Sequence, residues 1–471
     1  MALAGLVVAT VIVTLVVGVA PGLEAAPATR QQWVSTYRGP RKLGAQAYAT
    51  AVSPDGSKVY TTGSTATTEG GGDYLTAADD SATGALLWAT RYSGIGGLEG
   101  GVALSIAVSP GGSSVFITGF SPGLHGDIDF ATVAYDTATG AERWASRFDD
   151  AHHGIDDAYA VAVSPDGSTV FVTGASDGRN GALDYTTVAY SATTGAERWT
   201  ARYNGPGNDA DVAQRVVVAP GGSRVYVTGV SEGAGQNQDY ATVAYDAATG
   251  AQLWVGRYNG PGDSVDWAQS LAVSPGGARV FVTGYSFGRS SAEDYATVAY
   301  AAATGRQLWV ARYDGPAHRS DVATAVGVSP GGQRVYVTGG SFRTATDRDF
   351  TTVAYDAGSG AARWVARTDS PLGGDDGADA LAVGPDGTSV FVTGTSTGFT
   401  GYDYDWATVA YRATDGQLLW DERYSTKGNL DDVPLACAAG PDGSMLFVTG
   451  FSTAQSGTEG MTTVAYRAIP E

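Results

Sequence analysis

The chain has 471 residues, and 48 Asp and Glu against 28 Lys and Arg give it a formal net charge of −20. This acidic balance excludes the basic surface that a nucleic acid or an anionic membrane requires, so we expect neither as a partner. The single cysteine, Cys437, excludes an intramolecular disulfide and any metal site built from several cysteines. Abundant glycine, at 67 residues, is typical of many short strands joined by turns.

The chain begins with an apolar segment over residues 2–20, followed by a stretch of small residues. Ala26-Pro27-Ala28 has the form of a signal-peptidase site, so residues 1–28 are predicted to be a signal peptide. No Lys or Arg precedes the apolar segment, which is long enough to span a bilayer, so an N-terminal membrane anchor is the alternative. Both alternatives predict a secreted or extracytoplasmic protein that contacts a membrane only through this segment.

From residue 31 onwards two markers recur every 55 or 56 residues. The first is a proline followed by Asp-Gly or Gly-Gly, at Pro54, Pro110, Pro165, Pro220, Pro275, Pro330, Pro385 and Pro441. The second is a tryptophan, at Trp33, Trp88, Trp144, Trp199, Trp254, Trp309, Trp364 and Trp420. Each unit contains four β-rich runs, named strands A to D, separated by turn signals. Residues 31–471 are therefore predicted to be an all-β, single eight-bladed β-propeller of four-stranded antiparallel blades.

The first and last strands are out of phase with the repeat. Residues 32–40 have the pattern of a strand D with nothing before it, and residues 461–468 that of a strand C with no strand D after it. We predict that the N-terminal strand joins the C-terminal blade and closes the ring, which removes an exposed sheet edge. The links from B to C and from D to A are long and lie on one face, the long-loop face, where a site is expected.

The C-to-D hairpin carries a recurrent pattern, for example Ala244, Asp246, Gly250 and Trp254. It resembles the tryptophan-docking motif of quinoprotein (PQQ-like) propellers, and the whole repeat resembles the bacterial SBBP repeat of exported and surface proteins. The quinoprotein resemblance implies pyrroloquinoline quinone, calcium and oxidation of alcohols or sugars. Those alcohol dehydrogenases have an adjacent cysteine pair and divergent blades, whereas this chain has one cysteine and nearly uniform blades. We therefore do not expect pyrroloquinoline quinone as a cofactor.

Strand C opens with an aspartate in seven units, and strand D carries an arginine 18 residues later. The pairs are Asp73 and Arg91, Asp129 and Arg147, Asp184 and Arg202, Asp239 and Arg257, Asp294 and Arg312, Asp349 and Arg367, and Asp405 and Arg423. The constant spacing predicts cross-strand ion pairs between residues that lie nearly opposite each other. The closing blade has Gly460 and Thr36 instead, so both partners are missing together, which favours a structural role over a catalytic one.

A second acidic series opens strand A, the strand nearest the central channel, at Asp156, Asp211, Asp266, Asp321, Asp376 and Asp432. One hypothesis is a site for calcium or another divalent cation, because clustered carboxylates would otherwise repel one another. The alternative is that each aspartate accepts hydrogen bonds from nearby main-chain N–H groups. Trp267 follows Asp266 where other units have valine, and it is predicted either as a platform for a sugar or other planar ligand or as a packing residue.

Three histidines are predicted to lie on the long-loop face of the second blade. His125 is in the B-to-C link, and His152 and His153 are in the link that leaves the blade. Together with Asp127, and with Asp149 and Asp150 in the same loops, they offer imidazole and carboxylate ligands that zinc or another divalent metal accepts. The alternative is ordinary solvated loop polarity.

These patterns favour an exported, non-catalytic binding or scaffold protein. Its long-loop face would contact a protein or polysaccharide of the cell envelope. The alternative is an enzyme, quinone-dependent or metal-assisted, that uses the same face. The sequence contains no His-Glu-x-x-His motif or phosphate-binding loop. Its Gly-x-Ser-x-Gly sequences recur in five units, without the helix pattern that a nucleophile elbow requires.

Overall fold

A computed structural model describes residues 30–39, 42–68, 71–94, 100–178, 181–235, 237–289, 292–370, 373–398, 403–426 and 430–468. The described residues form 32 strands in eight four-stranded antiparallel sheets. The predicted eight-bladed propeller is therefore confirmed. The predicted signal peptide or anchor, residues 1–28, lies outside the described residues. Within the described ranges, no helix is long and apolar enough to cross a membrane.

Seven blades are continuous in the chain, and their strands follow one another from the innermost to the outermost. Their bounds are β2 (Ala45–Val52), β3 (Lys58–Ala66), β4 (Gly72–Asp80) and β5 (Leu86–Tyr92) in blade 1; β6 (Val102–Val108), β7 (Ser114–Pro122), β8 (Ile128–Asp136) and β9 (Glu142–Phe148) in blade 2; β10 (Asp156–Val163), β11 (Thr169–Asp177), β12 (Leu183–Ser191) and β13 (Glu197–Tyr203) in blade 3; β14 (Asp211–Val218), β15 (Arg224–Glu232), β16 (Gln238–Asp246) and β17 (Gln252–Tyr258) in blade 4; β18 (Asp266–Val273), β19 (Arg279–Phe287), β20 (Glu293–Ala301) and β21 (Gln307–Tyr313) in blade 5; β22 (Asp321–Val328), β23 (Arg334–Phe342), β24 (Arg348–Asp356) and β25 (Ala362–Thr368) in blade 6; and β26 (Gly377–Val383), β27 (Ser389–Thr397), β28 (Tyr404–Arg412) and β29 (Leu418–Tyr424) in blade 7.

The eighth blade closes the ring with strands from both ends of the described chain. It consists of β30 (Asp432–Ala439), β31 (Met445–Thr453), β32 (Glu459–Arg467) and, on its outer side, β1 (Gln31–Tyr37). Strands β1 and β32 pair antiparallel, with Thr36 opposite Thr462. The predicted closure is therefore confirmed, and β1 covers an edge of β32 that would otherwise be free to pair with another chain.

The middle strands of each blade are buried on both faces. In β15 and β16, for example, every residue except those at the ends is buried. Each blade lies between two neighbours, so both faces of its middle strands need apolar or internally hydrogen-bonded side chains. This arrangement accounts for the recurrent Val, Ala, Thr and Tyr of these strands.

The eight recurrent tryptophans join each blade to the next. Every indole N–H donates to a main-chain carbonyl of the following blade at 3.0–3.2 Å, from Trp33, Trp88, Trp144, Trp199, Trp254, Trp309, Trp364 and Trp420. Seven of these rings also contact aromatic side chains on both sides, as Trp199 does with Phe171 and Tyr245, and Trp33 contacts Phe447. The hydrophobic core is therefore a ring of clusters between blades, with the strand termini and their loops on the two outer faces.

Candidate functional site

The aspartates of strand C and the arginines of strand D form ion pairs within the blades. Carboxylate and guanidinium are 2.6 Å apart for Asp129 and Arg147, 2.8 Å for Asp239 and Arg257, 2.7 Å for Asp294 and Arg312, 3.5 Å for Asp349 and Arg367, and 3.9 Å for Asp184 and Arg202. Asp73 and Arg91 are also paired. The ion-pair prediction is confirmed for these six. In the seventh unit, Arg423 donates to Ser396 at 2.6 Å.

The expected register of these pairs was wrong. Arg257 lies opposite Ala241, so Asp239 is its diagonal neighbour, two residues along β16. Arg257 makes hydrogen bonds in addition to the ion pair. It donates to the Ser231 carbonyl at 2.9 Å and to the Tyr203 hydroxyl of the preceding blade. The pair therefore connects three strands of blade 4 with β13 of blade 3, and its charges are used within the fold.

The second acidic series lies at the junctions between blades. All six carboxylates are buried, and each accepts a main-chain N–H from the residue six positions earlier at 2.5–3.0 Å, at Asp156, Asp211, Asp266, Asp321, Asp376 and Asp432. Burial raises the pKa of each group, to about 6 for Asp156 and Asp432. These hydrogen bonds anchor the D-to-A links to the first residue of strand A, or to the residue before it. The calcium hypothesis for this series stays a prediction.

Trp267 is half-buried at the start of β18, beside Asp266. It lies opposite Tyr285 of β19, which is also half-buried. Two partly exposed aromatic side chains therefore occur at one position of blade 5. The hypothesis that Trp267 stacks on a planar ligand stays a prediction.

Two histidines and two aspartates form a cluster at the junction of blades 2 and 3. One ligand atom from each of His125, Asp127, Asp149 and His153 lies within 4.8 Å of the others. Nδ1 of His125 is 3.7 Å from Asp149 Oδ2 and 3.9 Å from Asp127 Oδ2, and Nδ1 of His153 is 2.8 Å from Asp149 Oδ2. The two imidazole rings are 3.9 Å apart. We name these four residues the histidine–aspartate cluster.

The third predicted ligand, His152, has a different partner. Its Nδ1 is 2.9 Å from Asp150 Oδ2, and the same carboxylate oxygen accepts from Arg202 at 3.0 Å. Burial opposes ionisation of Asp150, but the hydrogen bonds from His152 and the charge of Arg202 outweigh it and lower its pKa. Of the predicted residues, the structure therefore brings Asp149, and not His152, together with His125, Asp127 and His153.

An open groove of about 700 Å³ lies beside the cluster on the long-loop face. Its walls include Asp149 and His152 from the link before blade 3, Arg202 of β13 and Asn208 from the link after blade 3. Beneath the cluster, Asp129 and Asp156 approach Asp149 closely enough to form a second group of carboxylates. Burial raises the pKa of Asp129, and the charges of Asp149 and Asp127 act in the same direction. This junction therefore concentrates negative charge.

Two exposed apolar side chains flank the same junction and were missed by the sequence analysis. Leu124, in the B-to-C loop of blade 2, is 66% exposed, and Ile155, in the link to blade 3, is 48% exposed. The main chain of Ile155 bridges to Ile128, which holds the link against the first residue of β8. The sequence could have indicated the exposure of Leu124, because this leucine lies between a glycine and a histidine in a polar loop.

Two of the histidines also recur at the same position of the repeat. His153 and His318 occupy equivalent positions three units apart. Both have positive φ values of 51°, and both place Nδ1 2.8 Å from a carboxylate oxygen of the residue four positions earlier, Asp149 and Asp314. The pairing of His153 with Asp149 is therefore part of the repeat, whereas His125 and Asp127 are added only beside His153.

Comparisons with solved structures reveal other propellers. Sqt1 from Chaetomium thermophilum, bound to the N-terminus of ribosomal protein L10, has a TM-score of 0.61 at 14% identity over 93% of this chain and 100% of that chain. Quinohemoprotein alcohol dehydrogenase ADHIIG from Pseudomonas putida HK5 has a TM-score of 0.51 at 14% identity, over 88% and 73%. The quinohemoprotein alcohol dehydrogenase from Comamonas testosteroni has a TM-score of 0.52 at 13% identity, over 92% and 76%. Such identities show the fold alone.

Comparison with known sequences and protein-family models identifies the family of this chain. No curated protein sequence matches this chain. One family model matches over residues 71–233, 129–283 and 238–453, which together span most of the propeller. The chain therefore belongs to the repeat family described as outer membrane protein assembly factor BamB.

Proposed function

We propose that this chain is an exported, non-catalytic binding protein that engages a cell-envelope protein through its long-loop face. The contact surface is centred on the junction of blades 2 and 3, at Leu124 and Ile155. The observation that carries the proposal is the presence of these two exposed apolar side chains at the same blade junction as an open groove. Apolar residues surrounded by polar ones are typical of protein interaction sites.

The repeated acidic residues support binding over catalysis. Strand C aspartates pair with arginines, and strand A aspartates accept main-chain N–H groups. Side chains that make the same ion pairs and hydrogen bonds in successive blades stabilise the repeated fold. The features that differ between blades are concentrated in the loops, which is where a propeller carries its specificity.

The family and the fold are consistent with a protein partner in the envelope. The family's description, outer membrane protein assembly factor, refers to a role among envelope proteins. Sqt1, a propeller of similar fold, was solved with the N-terminus of another protein bound. The resemblance to SBBP repeats of exported and surface proteins and the apolar residues 2–20 favour the same compartment.

A binding assay with matched variants tests this proposal. The full chain is immobilised and exposed to detergent-solubilised envelope proteins and, separately, to purified envelope polysaccharide. We expect a discrete protein to be retained by wild type and by Leu253→Glu, which alters a 45% exposed leucine of β17. The combined change Leu124→Glu and Ile155→Glu is expected to abolish retention. Retention of polysaccharide instead of protein, retention unaffected by the double change, or dye reduction with alcohols or sugars after addition of pyrroloquinoline quinone and calcium would contradict the proposal.

A further inference from the structure

The histidine–aspartate cluster is assembled from two separate loops. His125 and Asp127 belong to the loop between β7 and β8, and Asp149 and His153 belong to the link between β9 and β10. The loop is short and closed by a hydrogen bond from the Gly123 N–H to the Asp127 carbonyl at 2.9 Å. Both loops leave rigid, fully paired strands, so the scaffold fixes the four side chains near one another.

Asp127 supplies an independent indication of a ligand. Its side chain is only 5% exposed, and neither of its carboxylate oxygens has a hydrogen-bond partner in the described part of the chain. A buried carboxylate without a donor is costly, because it has lost its hydration and gained nothing in exchange. Its Oδ2 faces Nδ1 of His125 at 3.9 Å. A cation between these groups would supply the missing partner.

The charged side chains near Asp127 do not supply a partner for its carboxylate. The nearest arginine on these strands, Arg147, is 2.6 Å from Asp129 and also donates to the Ser121 and Pro122 carbonyls. The carboxylates of Asp129 and Asp149 carry the same sign as Asp127, and the charges of both Asp127 and Asp149 raise the pKa of Asp129. A dication bound by two carboxylates and two neutral imidazoles would balance the charge of its ligands.

We propose that His125, Asp127, Asp149 and His153 form a binding site for a divalent transition metal of the zinc class. Two imidazole nitrogens with two carboxylate oxygens are a ligand set that zinc accepts in tetrahedral coordination, whereas calcium prefers six to eight oxygen ligands. Atoms within 4.8 Å of one another can surround one ion after small side-chain movements. This site stands independently of the proposed protein partner.

The chain contains a matched control for this site. At the junction of blades 5 and 6, His318 and Asp314 repeat the pairing of His153 and Asp149 with the same main-chain conformation. The B-to-C loop of blade 5 contains no histidine, so the second imidazole is missing there. His318→Ala therefore removes an equivalent exposed histidine without altering the proposed site.

Zinc titration by calorimetry on the metal-free, tag-free full chain tests the inference. We expect saturable binding of one zinc ion per chain in wild type and in His318→Ala. The affinity should fall at least about tenfold in His125→Ala and in Asp127→Asn. His125 is more than half exposed, so its replacement leaves the fold intact even if Asp127→Asn does not fold, and near-ultraviolet circular dichroism checks each variant.

The metal site would be overturned by the absence of saturable zinc binding in wild type, by undiminished binding in His125→Ala, or by binding of calcium in place of zinc. A loss of affinity in His318→Ala equal to that in His125→Ala would also overturn it, because histidines in general would then account for the binding. The proposed protein partner is measured without added zinc, so failure of one proposal is distinguishable from failure of the other.

Discussion

The indole N–H of Trp199 in blade 3 donates to the main-chain carbonyl of Ala247 in blade 4 at 3.1 Å. The same ring lies against the turn that follows Ala247, where a Cβ added to Gly250 would fall 2.7 Å from ring atoms of Trp199. Gly250 also has a φ of +73°, a conformation that disfavours residues with a side chain. Hydrogen bond, ring contact and turn therefore act together to join adjacent blades.

Gly250→Ala is expected to lower the free energy of unfolding by about 1 to 3 kcal/mol, because the new methyl group meets the Trp199 ring in a strained main-chain conformation. Urea denaturation measures the loss. Gly221→Ala is the matched control, since a Cβ at Gly221 meets nothing within 4 Å and its φ is not positive. Equal effects at Gly250 and Gly221 would show that the ring contact does not stabilise the fold.

Removal of the closing strand is expected to destabilise the ring far more than removal of the N-terminal segment. A chain that begins at residue 41 lacks β1 and exposes the edge of β32, whereas one that begins at residue 29 retains every described contact. We expect a melting temperature at least several degrees lower, with aggregation, for the shorter chain. If the two chains melt at the same temperature, β1 does not close the propeller in solution.

The pair of Asp239 and Arg257 is expected to be energetically coupled. A double-mutant cycle of Asp239→Ala and Arg257→Ala should give an interaction of about 1 kcal/mol that weakens in high salt. Arg257→Ala alone should cost more than this coupling, because it also removes hydrogen bonds to Ser231 and Tyr203. The control cycle pairs Asp239 with Arg224, at the other end of β15, and should be additive. Additive effects in the Asp239 and Arg257 cycle would remove the ion pair as a stabilising contact.

Much of the fold could be predicted from residue types at constant spacing. The glycine and tryptophan of each hairpin and the out-of-phase end strands indicated the docking of blades and the closure of the ring. The register of Asp239 against Arg257 could not be predicted, because a β-bulge beside Tyr245 and the turn geometry displace the partner along the strand. Residue types do not reveal such a shift.

The candidate site was predictable only in part, for a related reason. Spacing placed the histidines of blade 2 on one face, but it did not determine which side chain of the link points toward His125. The positive φ of His153 and the hydrogen bond of His152 to Asp150 determine that orientation. As a result Asp149, and not His152, completes the histidine–aspartate cluster.

The difference in stability between wild type and Asp379→Asn, a change on β26, is expected to depend on pH. Burial raises the pKa of this half-buried carboxyl to about 7, although a main-chain hydrogen bond from Thr395 opposes the shift. The folded state therefore holds the proton more tightly than the unfolded chain, so this contribution to stability is full at low pH and is lost as pH rises through 7. Asp379→Asn should raise the free energy of unfolding by about 1 to 3 kcal/mol at pH 8 and leave it unchanged near pH 3.

Urea denaturation of wild type and Asp379→Asn across this pH range checks the sign. The contrasting control is Asp80, where hydrogen bonds from the Thr83 side chain and main chain lower the pKa of the carboxyl. Asp80→Asn should give no stabilisation at pH 8. A variant Asp379→Asn that is no more stable than wild type at pH 8 would show that burial does not penalise the charge at this position.

Site-specific photo-crosslinking in cells tests most directly whether the long-loop face binds an envelope protein. A benzophenone amino acid is introduced at Leu124, beside the cluster, and separately at Leu253 on β17, which is similarly apolar and exposed. We expect a discrete crosslinked envelope protein from Leu124 and none from Leu253. No adduct from Leu124, or the same adduct from both positions, would contradict this expectation.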